Sequence, residues 1–206
     1  MPVHGKRVAL LLGATLFLFC LPANGHEERP VGASPLTKNA PMPAIRMAPD
    51  FALDEVRLSG LRGRPVLIAF IYTSCTRACP LLSARMARLQ KKLIAARLPA
   101  VLLSVTVDPQ RDDAKKLALF AKGFGARPGW HFLRDEPARL APVLADYDEW
   151  TQVLPSGELD HPARLHLIDG AGRVREIYSL AFFHEEQAFL DIAALERENR
   201  GQTPQN

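Results

Sequence analysis

The sequence predicts a single α/β domain, and two observations carry that prediction. Two continuous apolar runs, Val66 to Tyr72 and Val101 to Val107, have the length and composition of strands buried on both faces. Between them, Pro80 to Leu98 carries an apolar stripe at helical spacing. A strand, a helix and a second strand in this order predict two parallel strands side by side in the centre of a sheet.

The other elements follow from shorter patterns on either side of this unit. The apolar stripe of the first helix consists of Leu82, Met86, Leu89 and Leu93. A Gly-rich turn at 169–172 predicts a hairpin. The predicted strands outside the centre are 51–53, 56–58, 131–133, 164–168 and 174–178, and the further helices are 114–124, 137–147 and 185–198.

Length and charge exclude several classes of protein. The chain has 206 residues, 48% of them hydrophobic and 23% charged, which is typical of one globular domain. Without the amino-terminal segment that carries Lys6 and Arg7, 24 basic and 22 acidic residues remain, a net charge of +2. This near-neutral balance argues against a nucleic-acid-binding role.

The first 25 residues have the pattern of a secretory signal. Two basic residues precede the uncharged apolar run Val8 to Ala23, and small residues follow at Ala23 and Gly25. We expect cleavage near Gly25, with an uncleaved inner-membrane anchor as the alternative. Either outcome predicts a periplasmic or otherwise extracytoplasmic protein.

The remaining chain divides into three parts. Residues 26–48 are rich in Pro, Ala and charge without apolar periodicity, which predicts a flexible lead-in. The domain is expected over 49–198. Residues 199–206 are expected to form a disordered tail.

The cysteines indicate chemistry more than structural support. Cys20 lies in the signal, so the mature chain keeps only Cys75 and Cys79. A disulfide between residues four apart closes too small a loop to stabilise a fold appreciably. The pair therefore predicts a redox site, a metal site or both.

The position of this pair favours thiolates. It lies between the end of the first long strand and the start of a helix, whose free N–H groups and partial positive charge lower thiol pKa values. Arg77 adds a positive charge. If Cys75 and Cys79 share one helical face, both sulfurs meet at one point, which suits a soft ion such as Cu(I) or Zn(II). A closed zinc site would need two histidines in addition.

One histidine is the candidate third ligand. His161 lies in a loop that enters a strand, on the same side of the expected sheet as Cys75, and its alternative is a solvent-exposed loop residue. His166 is expected to be exposed on the opposite face of its strand. His184 is expected to face solvent at a helix start, and His131 to be structural.

Three blocks of sequence resemble the Sco (SenC) family of copper chaperones. The segment Phe70 to Pro80 resembles its C-x-x-x-C-P motif, and Ser104 to Asp113 resembles its Val-Asp-Pro segment. Asp160 and His161 resemble its third block, which carries a histidine ligand. The resemblance runs from about Pro49 to Leu195.

This resemblance implies a thioredoxin-like fold, with a central mixed sheet flanked by helices and an inserted hairpin. It implies copper, as Cu(I) or Cu(II), bound by Cys75, Cys79 and His161. Members of the family help to build the dinuclear copper centre of cytochrome c oxidase, by delivering copper or by reducing the cysteines of the target. The implied partners are a copper-receiving client, a cytochrome oxidase subunit, and a thiol reductase.

The residues by themselves leave a second function open. A thiol–disulfide oxidoreductase would use Cys75 and Cys79 as a redox-active pair without a stable metal. Whether the protein is an enzyme therefore stays open here, with a copper chaperone as the favoured prediction.

Overall fold

The computed structural model describes Met1 and residues 46–181 and 183–202. The predicted signal and nearly all of the lead-in lie outside the described residues. Within the described residues, no helix has the length and apolar character needed to cross a bilayer. The strands are β1 (Ala52–Leu53), β2 (Val56–Arg57), β3 (Val66–Ile71), β4 (Val101–Thr106), β5 (Trp130–Leu133), β6 (Gln152–Val153), β7 (Leu159–Asp160), β8 (Arg164–Ile168) and β9 (Val174–Ser179). The helices are α1 (Ala78–Ala95), α2 (Ala114–Gly123), α3 (Pro137–Asp146) and α4 (Glu185–Gln202), with a 3-10 turn at Leu58–Leu61.

A five-stranded mixed sheet forms the centre of the domain, in the order β5-β4-β3-β8-β9. Strand β3 pairs in parallel with β4 and antiparallel with β8, and β4 pairs in parallel with β5. Every residue of β3 and β4 is buried, as continuous apolar runs predict. Helices α1 and α4 contact each other, and α2 contacts β5. The predicted α/β fold with a central mixed sheet is confirmed.

Helix α1 buries the predicted stripe, since Leu82, Met86, Leu89 and Leu93 are all at most 3% exposed. The helix begins at Ala78, two residues earlier than predicted. Pro80 is then its third residue, where a backbone N–H has no partner within the helix and proline is tolerated. The earlier start brings Cys79 into the first turn.

Both ends of the domain extend further than predicted. Residues 46–48 pair with the start of β9, because Arg46 O accepts the Val174 N–H and Met47 forms a bridge with Arg173. Helix α4 continues to Gln202, four residues into the predicted tail. The Asn199 side chain donates to Gly63 O at 2.8 Å, which holds the last turn against the domain.

The expectation that His166 is exposed is wrong. His166 is 1% exposed, with its ring edge-on to Phe70 and Tyr147 at centroid distances of 6.0 and 5.1 Å. Residues 165–168 of β8 are all buried, so both faces of this strand are covered. Burial lowers the pKa of His166 to about 4, which leaves the ring neutral.

Candidate metal and thiol site

The site lies at the edge of the sheet where parallel strands β3 and β4 have their carboxyl ends. Cys75 follows β3 in a short loop, and the antiparallel register of β8 against β3 brings His161 to the same edge. This placement agrees with the prediction from chain order. Open α/β sheets commonly have their functional sites at this edge.

The two sulfurs do not share a helical face, contrary to the sequence-based expectation. Only Cys79 lies in α1, and Cys75 comes three residues before the helix begins. The loop turns back so that the Cys79 N–H donates to the Cys75 sulfur at 3.4 Å. Arg77 is the N-cap residue of α1, but its side chain makes no capping hydrogen bond. The Cys75 sulfur instead accepts a free backbone N–H of the first helical turn.

The two thiols are chemically unequal. Both are free; Cys75 is 9% exposed and Cys79 is 1% exposed. The hydrogen bond from the Cys79 thiol is the main cause that lowers the pKa of Cys75 to about 4, opposed by burial. The same hydrogen bond and burial raise the pKa of Cys79. The pair therefore combines a thiolate that keeps slight solvent exposure with a thiol that is almost fully buried.

Arg77 contributes differently from the prediction. Its side chain is exposed, and it lowers the pKa of Cys75 through its backbone N–H. The positive end of the helix thus stabilises the thiolate through main-chain donors, as at other anion-binding helix starts.

Tyr72 links the cysteine loop to the histidine, a role that was not predicted from the sequence. Its hydroxyl donates to Leu159 O at 2.9 Å. The same hydroxyl lies near the Cys75 sulfur and helps to lower the pKa of Cys75. Burial, followed by the contact with Cys75, raises the pKa of Tyr72. Its ring is edge-on to His161, with centroids 5.8 Å apart.

His161 is held in a nearly closed environment. Its side chain is 4% exposed, so the alternative of a solvent-exposed loop histidine is wrong. The Nδ1 atom lies 3.5 Å from Oε2 of Glu149, a second residue whose role was not predicted from the sequence. No local pattern marks Glu149, because its partner is twelve residues away.

The small β6–β7 hairpin, which ends just before His161, is fastened to the site by its tip. Thr76 donates to Glu158 at 2.7 Å, and the Arg111 guanidinium donates to Gly157 O at 3.1 Å. Together with the bond from Tyr72, these contacts join the hairpin to both the cysteine loop and the turn after β4.

Buried Asp112 holds the cysteine loop against strand β4. Its carboxylate accepts the Thr73 N–H at 3.0 Å and the Thr106 hydroxyl at 2.6 Å. Asp112 lies within the block Ser104 to Asp113, so this block supports the site through one of its own side chains.

The structure brings the two cysteines together and places His161 against Tyr72, which also contacts Cys75. Within the described residues, no three side chains among His, Cys, Asp and Glu converge closely enough to hold a metal ion as they stand. Two further histidines of the described residues lie outside this arrangement. His184 is exposed as predicted, and His131, which was expected to be structural, is exposed as well.

Comparisons with known proteins agree on one family. A family model described as SCO1/SenC matches residues 48–195. The SCO1 protein homolog of Bacillus subtilis (strain 168) is 39% identical over 80 residues, 38% of this chain and 42% of the relative. The chain thus matches less than half of that relative's length.

Solved structures match over more of their length. Bradyrhizobium japonicum ScoI with copper bound is 28% identical, with a TM-score of 0.57, and the match covers 71% of this chain and 98% of that one. BsSco, a member of the Sco family of cytochrome c oxidase assembly proteins, is 24% identical with a TM-score of 0.66, covering 75% and 96%. The likeness to BsSco shows a shared fold, which is thioredoxin-like.

Proposed function

The chain belongs to the SCO1/SenC family, and we propose that it is a copper-binding chaperone for a respiratory copper centre such as that of cytochrome c oxidase. The observation that supports this most is the thiolate of Cys75 beside the thiol of Cys79, at the sheet edge where buried His161 also arrives. The family relationship makes cytochrome oxidase assembly the expected setting, since BsSco belongs to that class.

The donor atoms suit copper as the cargo. Two sulfurs and one imidazole match the preference of Cu(I) for soft ligands at low coordination number, and an imidazole also suits Cu(II). A structural zinc site normally has four protein ligands. Cys75, Cys79 and His161 supply three, and Bradyrhizobium japonicum ScoI, a related protein, has been solved with copper bound.

Closing the site requires His161 to approach the sulfurs. The residue follows β7, and the cysteine segment contacts this hairpin through the bond from Tyr72 to Leu159 O in β7 and the bond from Thr76 to Glu158 at the tip. A modest shift of this hairpin would move the imidazole without disturbing the five-stranded sheet. Release of the cargo would follow by exchange of these ligands for the cysteines of the client.

The proposal is tested by anaerobic Cu(I) titration of the reduced domain against a competing chelator. We expect one copper per chain, and a loss of affinity of at least tenfold in Cys75→Ser, Cys79→Ser and His161→Ala. His184→Ala, which changes an exposed histidine, is the matched control. An unchanged affinity in His161→Ala would remove that residue from the site.

The unequal thiols favour a second candidate, thiol–disulfide exchange. The Cys75 thiolate would attack one sulfur of a client disulfide, forming a mixed disulfide and releasing the other sulfur as a thiolate. The Cys79 thiol, on losing its proton, would then attack the Cys75 sulfur and release the client's second thiolate. The client gains two electrons, and a thiol reductase must later reduce the Cys75–Cys79 disulfide.

Oxidised glutathione separates the two candidates. A protein working by exchange forms its internal disulfide quickly, and Cys79→Ser accumulates glutathione on Cys75, detected by mass spectrometry. Rapid exchange by a protein without measurable Cu(I) affinity would establish the second candidate. High Cu(I) affinity with slow exchange would establish the first.

The proposed location is the periplasm or another extracytoplasmic compartment. The support is the basic and apolar character of residues 1–25. Fractionation of cells that express a carboxyl-terminally tagged chain tests the location, and the mass of the purified protein tests cleavage near Gly25. Recovery of the tagged chain in the cytoplasm would contradict this proposal.

A further inference from the structure

We propose that Glu149 is a positioning residue that holds the His161 imidazole by its Nδ1 atom, so that Nε2 is the nitrogen presented to copper. The inference rests on the proposed function, because it takes His161 as a copper ligand. It concerns a side chain that no sequence motif marks.

The carboxylate of Glu149 is enclosed and aimed at the histidine. Its side chain is 0% exposed, and Oε2 lies 3.5 Å from His161 Nδ1. Its backbone is fixed just after α3, since the Glu149 N–H donates to Leu144 O at 2.8 Å. The main chain therefore directs this side chain inward instead of leaving it free to reach solvent.

A buried carboxylate at this place is costly for the fold. In the described part of the chain, the second oxygen, Oε1, is buried and has no hydrogen-bond partner. An apolar residue would avoid the cost of burying a partly unpaired carboxyl group. The contact with His161 therefore indicates that this carboxyl group serves to hold the imidazole.

The contact determines which ring nitrogen is available. A carboxylate can only accept, so its partner Nδ1 carries the proton and Nε2 keeps a free lone pair. Histidines that bind metals usually donate their other N–H to such an acceptor, which fixes the tautomer and makes the ligand more basic. Tyr72 packs edge-on against the same ring, so the imidazole is restrained from a second direction.

The first measurement determines the tautomer of His161 in the metal-free protein, so it does not depend on copper binding. Nitrogen-15 chemical shifts of the His161 ring, assigned by comparison with His161→Ala, are measured in the reduced metal-free protein. We expect the Nδ1-protonated tautomer in the wild type and a loss of that bias in Glu149→Gln. Cu(I) affinity is measured in parallel, and we expect Glu149→Gln to weaken it about 10- to 100-fold.

Asp148→Asn is the matched control. It makes the same change of charge at the neighbouring position, where the side chain is 82% exposed. Asp148 has a φ of 59°, a conformation that asparagine also adopts readily. We expect this variant to keep both the His161 tautomer and the wild-type Cu(I) affinity.

Two results would overturn the inference. One is a wild-type His161 protonated on Nε2, which is measured without any Glu149 variant and so stands even if Glu149→Gln fails to fold. The other is a folded Glu149→Gln with both tautomer and affinity unchanged. If the wild type binds no Cu(I) but shows the Nδ1-protonated tautomer lost in Glu149→Gln, the proposed function fails while the positioning contact stands.

Discussion

At the scale of single residues, the site depends on how one thiol is stabilised as a thiolate. The Cys79 thiol, main-chain N–H groups at the helix start and the nearby Tyr72 hydroxyl all lower the pKa of Cys75. Each favours the charged form, and together they outweigh the cost of burial. Cys75, the less buried of the two cysteines, is thereby made reactive by a partner that is itself kept protonated.

The order of these contributions can be measured. Cys79→Ala removes the largest one, so we expect the largest rise in the pKa of Cys75 from its value of about 4. Tyr72→Phe removes a smaller one and should raise this pKa less. The ultraviolet absorbance of the thiolate, followed against pH in each variant, gives both values. A larger rise in Tyr72→Phe than in Cys79→Ala would show that Tyr72 is the main donor.

The buried ring of His166 predicts how the free energy of unfolding depends on pH. Its folded-state pKa of about 4 lies below the ordinary value of 6.5, so as pH falls the unfolded chain takes up this proton first. Stability is therefore lost between about pH 6.5 and pH 4, and we expect about 2 kcal/mol of that loss between pH 7 and pH 5.

Urea unfolding at both pH values tests this prediction. His166→Phe keeps a ring among Phe70 and Tyr147 but cannot take up a proton, so its free energy of unfolding should fall less between the two pH values. Equal losses in wild type and variant would mean that His166 does not titrate in this range.

The sequence could reveal some of these residues and not others. Cys75 and Cys79 are visible because their spacing and their place after a buried strand are local features. Tyr72 and Glu149 act on partners 87 and 12 positions away, which no local pattern records. His166 was misjudged because alternation along a strand indicates exposure only where one face of the sheet meets solvent.

At the scale of elements, long apolar patterns predicted the strands and helices that contain them, whereas short irregular segments gave no such signal. Strands β3 and β4 and helix α1 each bury a continuous run or stripe, so their packing and their sequence agree. The β6–β7 hairpin consists of two-residue strands with mostly exposed side chains, and it carries no periodic signal. Its position is set by contacts at its tip, which become visible only in the folded chain.

These tip contacts predict how the hairpin responds to a single change. Thr76→Val keeps the shape of the side chain but removes its bond to Glu158, a loss worth about 1 kcal/mol at most for an exposed pair. We expect faster amide hydrogen exchange at Leu154, whose N–H bonds to Glu158 O within the hairpin. The five-stranded sheet should exchange as in the wild type.

Thr151→Val, an exposed threonine just before β6, serves as the control and should leave the exchange of the hairpin unchanged. Unchanged exchange at Leu154 in Thr76→Val would show that the bond to Glu158 does not hold the tip.

At the scale of the whole molecule, a rigid sheet presents a site whose third candidate ligand belongs to a small appended hairpin. The cysteines lie at the edge of the core, and Asp112 fixes their loop by accepting the Thr73 N–H. His161 directly follows the β6–β7 hairpin, whose side chains are mostly exposed. Segments of this kind open at low free energy, so the histidine side of the site can move while the sulfur side stays fixed.

This division predicts that copper stabilises the folded chain as a whole. Any ligand bound only by the folded state adds about 2.7 kcal/mol at a free concentration 100 times its dissociation constant. For a domain of this size, that corresponds to a rise in Tm of roughly 5 to 10 °C. Thermal unfolding of the reduced protein with buffered Cu(I) measures the effect. His161→Ala should show a smaller rise at the same free Cu(I), because it loses affinity while keeping both sulfurs, and Cys75→Ser should show almost none. An equal rise in all three proteins would mean that copper binds elsewhere on the chain.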